Sequence, residues 1–299
     1  MKHYNEYFIS EEYSGKSVKD FLINNLLISH RTLVKLKKNS SILINGEKAY
    51  VTRKLKAGDL LEIILQDEES ENVIPEAFDL NIIYEDDYMI AINKPPYMPV
   101  HPSRGHYTGT LANALAYYYM NMGGNIKIRP INRLDKDTSG VVIFAKNSHI
   151  QYLMSKEEVF ISKKYIAVVK GMVSQGKGII DMPIKRENSN SIKRVVNEHG
   201  QKAITIYEVL DKNEKSSLLR IDLITGRTHQ IRVHMSHIGH PIIGDELYGE
   251  ISPLIQRQGL HAERISFKHP ITHEIIEIYA DIPDDIKKLI SILGLKYVL

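Results

Sequence analysis

The chain has 299 residues, is 43% hydrophobic, contains no cysteine and carries a net charge of only +3. That length suffices for one large core or two domains, and the lack of cysteine excludes a disulfide framework, thiolate chemistry and zinc sites built on Cys. No apolar run approaches the roughly 18 residues of a membrane span, and residues 1–12 lack the apolar stretch of a signal peptide; a soluble, cytoplasmic protein is expected. The charge is unevenly placed. Between Ser14 and Leu65 ten Lys/Arg stand against four Asp/Glu, a net +6 that leaves −3 for the rest. A basic module on a near-neutral body points to docking on a polyanion.

Ser17 can cap a helix with apolar positions Val18, Phe21, Leu22 and Leu26. Ser29 can cap a second, in which Arg31, Lys35 and Lys38 fall one above another while Leu33 and Leu36 turn inward. Ile42–Ile44 reads as a short strand, Asn45-Gly46 as a two-residue hairpin, and Tyr50-Val51 and Leu60–Leu65 as further strands. Residues 14–66 thus form a compact basic unit. Its candidate RNA contacts are Arg31, Lys35, Lys38, Arg53 and Lys54, favoured over a merely solvated face because phosphate neutralisation drives non-specific affinity. Gln66–Glu76 is acidic and polar and reads as a linker, after which the main domain spans 80–299.

In that domain Ile82–Tyr84 and Tyr88–Ile92 are predicted strands around a Glu85-Asp86-Asp87 turn, and Asn93-Lys94-Pro95-Pro96 ends the second. His101, in the loop that follows, is read as a loop histidine held between its neighbours rather than as a base. Thr110–Met120 reads as a helix. Its Tyr117-Tyr118-Tyr119 run points in several directions, which favours core packing over base stacking. The stretch Ile131–Gly140 is polar and runs straight into apolar Val141–Ala145, a turn at Thr138-Ser139-Gly140 followed by a strand buried on both faces. Asp135 then sits at the lip of a sheet beside Arg133 and Lys136. A carboxylate held there is a candidate nucleophile or base, or a plain turn residue.

Lys163–Gly171 is another buried strand, containing Tyr165. Lys177–Val196 reads as a loop-rich excursion, with Lys185, Arg186, Lys193 and Arg194 as candidate RNA contacts. Leu218–Ile224 is a strand leading into Thr225–His234. There His229 and His234 are five apart rather than at the four-residue spacing of a helical zinc pair, and no metal site is expected. Gly244–Gly249 reads as a structural turn, and Ile286–Leu293 as a closing helix.

Arg133-Leu134-Asp135, Thr138-Ser139-Gly140 and the apolar strand after them closely resemble the catalytic loop of RNA pseudouridine synthases of the RluA type. Three further stretches match the family in the right order: Asn93-Lys94-Pro95 to Val100-His101-Pro102, Lys163–Gly171 around Tyr165, and Gly226-Arg227 to Arg232-Val233-His234. The 14–66 unit resembles the S4 RNA-binding domain of many such enzymes. One departure is Asn132, where the family usually has histidine.

The resemblance implies a pseudouridine synthase with Asp135, Tyr165 and Arg232 as catalytic residues. Asp135 would be the reacting carboxylate, Tyr165 the ring beside a flipped uracil and Arg232 the cation that keeps Asp135 charged. Whether Asp135 attacks the ribose or ring, or removes the C2′ proton, stays open. The expected fold is α+β, with a mixed, mostly antiparallel central sheet, in keeping with many strands and few long helical patterns. The reaction calls for no cofactor or metal, and no Gly-rich phosphate loop is present. Large-subunit ribosomal RNA is the favoured substrate, transfer RNA the runner-up, and a monomer is expected. A catalytically silent RNA-binding protein is disfavoured by the intact Asp135, Tyr165 and Arg232. A hydrolase using Asp135 and Asp137 is disfavoured because two acids so close in a turn need not converge.

Overall fold

The computed structural model describes residues 2–66, 73–103, 105, 107–124, 127–155 and 159–297. Within the expected linker, residues 67–72 lie outside the described ones.

The N-terminal unit is a four-stranded sheet in the order β1-β4-β2-β3, from β1 (Lys2–Phe8), β2 (Ile42–Ile44), β3 (Glu47–Lys48) and β4 (Leu60–Gln66). β1 runs antiparallel along the whole of β4, so residues 2–8 add a strand to the unit expected at 14–66. The Ser17 and Ser29 hydroxyls accept the backbone N–H of Asp20 and Thr32, the N-caps their sequence positions suggest. The first helix is short: α1 (Val18–Asp20) widens into a π turn over Phe21–Asn25. The second, α2, spans His30–Lys38. Val18, Phe21, Leu22, Leu33 and Leu36 pack on Ile42, Ile44, Leu61 and Ile63 in a core of their own. Asn45 and Gly46 both have positive φ, as a tight two-residue hairpin requires.

Tyr50-Val51 is not the strand expected. The Val51 and Arg53 carbonyls instead accept the N–H groups of Lys19 and Val18, satisfying donors at the start of α1 that have no partner within the helix.

The main domain contains, among the described residues, a ten-stranded sheet. Its strands are β5 (Ile82–Glu85), β6 (Met89–Lys94), β7 (Arg129–Pro130), β8 (Ser139–Ala145), β9 (Phe160–Lys170), β10 (Lys177–Asp181), β13 (Ile204–Lys212), β14 (Ser216–Leu223), β15 (Leu260–Lys268) and β16 (Ile275–Tyr279). A separate ribbon pairs β11 (Ile184–Arg186) with β12 (Arg194–Val196). The main path runs β10-β13-β14-β9-β15-β8-β6-β5, with β16 on β15 and β7 on β8. All pairs are antiparallel except β8–β15 at the centre, giving the mixed sheet of an α+β fold. Four helices pack on it: α3 (Leu111–Asn121), α4 (Ser148–Met154), α5 (Gln230–His237) and α6 (Asp284–Ile292).

Strand alternation sorts the core. On β9, Tyr165, Ala167 and Val169 face α5 through Ile231 and Met235, whereas Ile166 and Val168 face α6 through Ile286 and Leu289. On β8, Val142 and Phe144 join α3, while Val141 and Ile143 join α4. Tyr119 is the tyrosine of its run that enters the core.

Two other expectations are corrected. Lys177–Val196 is no loop excursion but an edge strand and the β11–β12 ribbon. The tight turn also lies upstream of Thr138-Ser139-Gly140, at Asp135–Thr138, where the Thr138 N–H bonds the Asp135 carbonyl. Ser139 and Gly140 already pair with His261 and Ala262 in β15. Gly140 is needed there for close approach: its φ is 118°, and a Cβ would lie 2.1 Å from the Ala262 carbonyl oxygen.

Candidate active site

Asp135 stands at the turn before β8, above the junction of β8 and β15, with its backbone braced from several sides. Lys94 at the end of β6 is wholly buried and donates to the Pro95, Met98 and Lys136 carbonyls at 2.7, 2.9 and 2.9 Å. Burial, then the Arg257 charge, pull this amine down to about 7. Three carbonyl acceptors nevertheless use all three donors of its ammonium form.

Arg257, also buried, donates to the Asp137 carbonyl at 3.0 Å while its Nε and Nη2 grip both Asp285 oxygens on α6 at 2.6 and 2.9 Å. The Gln258 amide donates to Thr138 Oγ1, and Ser139 Oγ pairs with His261 Nδ1. Asn132 acts as a piece of strand: its amide donates to the Val141 carbonyl at 3.0 Å and its oxygen accepts the Ile143 N–H at 2.8 Å.

The side-chain constellation is set mostly by α5. Arg232 Nη1 donates to Asp135 Oδ2 at 2.8 Å. Its other edge is clamped by Asp245, Nε to Oδ2 at 2.7 Å and Nη2 to Oδ1 at 2.9 Å. The Asp245 side chain is fully buried, that of Arg232 is 9% exposed and that of Asp135 26% exposed. The carboxylate therefore opens to solvent while its cation is held from behind. Burial works against the charge of Arg232, but the hydrogen bonds and charges of Asp245 and Asp135 outweigh it and hold the guanidinium above its ordinary value.

Tyr165 on β9 is buried and lines the same pocket as Asp135 and Arg232, together with Leu134, Leu223 and Leu260. Burial, then the Asp135 charge, raise its hydroxyl above the usual range, so it stays a neutral phenol. The three residues expected to act together are thus brought into one pocket.

Three groups of the site were not expected from sequence. Asp245 and Tyr248 belong to the stretch read as a structural turn. The Arg232 guanidinium lies 5.1 Å from the Tyr248 ring centre, and the Tyr248 hydroxyl meets His229 Nδ1 at 2.8 Å. His229, considered only as a metal ligand, lies with Nε2 3.8 Å from Asp135 Oδ2. His234 is elsewhere, buried between Thr205 Oγ1 and the Met182 carbonyl. Periodicity locates strands and helices but not which turn folds back over which helix.

Outside the pocket runs a wider groove lined by His101, Arg133, Lys136, Lys163, Arg194 and Arg227 among others. Arg194 thus reaches the groove, whereas Lys185, Arg186 and Lys193 do not line it. On the N-terminal unit Lys38, Arg53 and Lys54 are exposed and Lys35 is half-buried; the side chain of Arg31 lies outside the described residues. No described helix is long and apolar enough to cross a membrane.

Residues 88–237 match the family model described as RNA pseudouridylate synthase, and residues 6–61 the one described as the RluD ribosomal pseudouridine synthase N-terminal domain. The chain is 39% identical, over 95% of its own length and 95% of the relative's, to a Bacillus subtilis protein named "Uncharacterized RNA pseudouridine synthase YhcT". It is 36% identical to the Haemophilus ducreyi "Ribosomal large subunit pseudouridine synthase D", covering 96% of this chain and 88% of that one. Among solved structures it resembles "Human RNA Pseudouridylate Synthase Domain Containing 4" with a TM-score of 0.58 and 25% identity, over 73% of this chain and 94% of the human one.

Proposed function

Starting from the fact that this chain belongs to the RNA pseudouridine synthase family, we propose that it isomerises uridines of large-subunit ribosomal RNA, with Asp135 as the reacting carboxylate. The observation that carries the assignment of Asp135 is its 2.8 Å bond to Arg232, a cation itself locked by a buried second carboxylate. A carboxylate that must react at neutral pH in a half-closed pocket needs such a partner, because burial alone favours the protonated form.

The remaining parts fit the same chemistry. A uridine must leave its stack to be reached. The Tyr165 ring with Leu134, Leu223 and Leu260 offers the flat apolar walls that a flipped pyrimidine needs. Arg133, Lys136, Arg194 and Arg227 along the outer groove suit the flanking phosphates, and the basic N-terminal unit suits docking at a distance. Within the isomerisation Asp135 either bonds to the nucleotide as a nucleophile or takes the C2′ proton; both need its ionised form and the bracing of its loop. The ribosomal substrate rests on the likeness to relatives named for it, and a cytoplasmic site of action follows from that substrate. Transfer RNA is the alternative.

Asp135→Asn tests the assignment. Pseudouridine formation in a large-subunit ribosomal RNA transcript should disappear while RNA affinity stays within a few fold, since the isostere keeps the shape and removes the reactive group. Turnover above about 1% of wild type, a barrier change under ~3 kcal/mol, would overturn it.

A further inference from the structure

His229 has three properties that the chemistry above does not use. Its backbone lies in the left-handed region, uncommon for a residue other than glycine. The loop is stapled in that shape, because Gln230 Oε1 accepts both the Arg227 N–H and the Thr225 hydroxyl. The result is an imidazole edge turned toward the carboxylate, with Nε2 3.8 Å from Asp135 Oδ2.

The protonation pattern of this ring follows from its neighbour. The Tyr248 hydroxyl oxygen already accepts the backbone N–H of Arg194 at 2.7 Å. Its own proton is then left for the acceptor 2.8 Å away, His229 Nδ1. An imidazole that accepts at Nδ1 carries its hydrogen at Nε2, the nitrogen facing Asp135. The charged and titratable groups around the ring are Asp135, Asp245, Arg232, Arg194 and Tyr248. Burial lowers its proton affinity, and the Arg232 and Arg194 cations add to this against the pull of Asp135 and Asp245. The ring therefore stays neutral at neutral pH.

On the reading of this pocket as the synthase site, we propose that His229 is a positioning residue: a neutral imidazole, fixed by Tyr248 in its Nε2–H form, that steers the Asp135 carboxylate. Both Arg232 Nη1 and His229 Nε2 approach Oδ2, which leaves Oδ1 for the nucleotide. At 3.8 Å the second contact is open in the free protein, and it shortens when substrate presses on the loop, as contacts at catalytic sites commonly do. The carboxylate is then fixed in rotation as well as in charge, which a single guanidinium contact does not achieve.

Two substitutions separate this role from general support of the fold. His229→Asn tolerates a left-handed backbone and keeps an acceptor where Nδ1 stood, but does not reach Asp135. His229→Gln places an amide N–H close to the position of Nε2. At saturating large-subunit ribosomal RNA transcript, His229→Asn should slow single-turnover isomerisation about tenfold or more with little change in RNA affinity, and His229→Gln should recover to within about threefold of wild type. Equal rates for both variants, fast or slow, would overturn the proposal.

Imidazole nitrogen NMR of the free protein decides the same point without RNA. It should show the Nε2–H form of His229 at neutral pH and a mixture of forms in Tyr248→Phe; an Nδ1–H form in the wild type would overturn the proposal. A wild type inactive on the transcript would count against the ribosomal substrate and leave the NMR result to decide the role of His229.

Discussion

Asp245 takes the Nε and Nη2 edge of Arg232 and leaves only Nη1 for Asp135. The guanidinium is thereby shared unequally: a bidentate pair fixes its plane from the buried side, and one donor is presented to the more exposed carboxylate of Asp135. Arginine suits this task because its fork is rigid and always charged.

One consequence is a difference between two substitutions. Arg232→Met removes the donor 2.8 Å from Asp135 and leaves the buried Asp245 carboxylate without its bidentate partner. Single-turnover isomerisation should then fall by about a hundredfold or more. Tyr165→Phe keeps the ring and the cation, and should lose about tenfold or less. Single-turnover rates of both variants with one RNA check this; an Arg232→Met rate equal to that of Tyr165→Phe means that the Arg232 contact to Asp135 does not matter to the reaction.

Asp245 is wholly buried behind Arg232, yet its loss should be felt twice. Asp245→Asn removes the charge behind Arg232, weakening a charge-assisted pair that also orders the Leu247 and Tyr248 N–H groups. Stability should fall by about 1–3 kcal/mol, measured by denaturant unfolding. The rate should fall further than a neighbouring surface change would explain, because the freed guanidinium no longer presents Nη1 in one direction. An unfolding curve and a rate both equal to wild type would show that the clamp is dispensable.

Gly140 offers a backbone test. A Cβ there would lie 2.1 Å from the Ala262 carbonyl oxygen, at a φ that L side chains rarely adopt. Gly140→Ala should therefore part β8 from β15 beneath the Asp135 turn and cost at least the ~1–3 kcal/mol typical of overpacking. Activity should fall with stability, and equilibrium unfolding beside the single-turnover rate reads both.

Much of this was legible in the sequence. Alternation and turn residues gave the strands around Glu85-Asp86-Asp87, the buried strand after Gly140 and the caps at Ser17 and Ser29, because those features are decided by neighbours in the chain. Asp135, Tyr165 and Arg232 were reached through a family resemblance, and the pocket brings the three together. What local reasoning could not give is set at long range. Tyr50-Val51 turns because α1 needs its carbonyls; Lys177–Val196 forms strands because its partners lie elsewhere; Asp245 matters because it folds back beneath Arg232. Asn132 is intermediate. Its donor and acceptor suit a strand mimic, but only the position of β8 shows what it pairs with.

The basic N-terminal unit makes a separate prediction about salt. Replacing the exposed Lys38, Arg53 and Lys54 by Ala should weaken RNA binding and flatten its salt dependence, by roughly 0.7–0.9 in log–log slope for each phosphate no longer neutralised. The turnover rate at saturating RNA should hardly change. An unchanged slope would make these side chains a solvated face.

The Arg257 brace also fixes an order of assembly. Arg257 lies 120 residues beyond Asp137, whose carbonyl it holds, and its own anchor Asp285 lies 28 residues further on. Chains emerge from the ribosome N-terminus first, and contacts this distant in sequence close late. A growing chain therefore displays its basic N-terminal unit, and then Asp135, well before the support behind that carboxylate exists. On the function proposed above, nascent copies would hold RNA before they could alter it, and the chemistry would wait until α6 had docked.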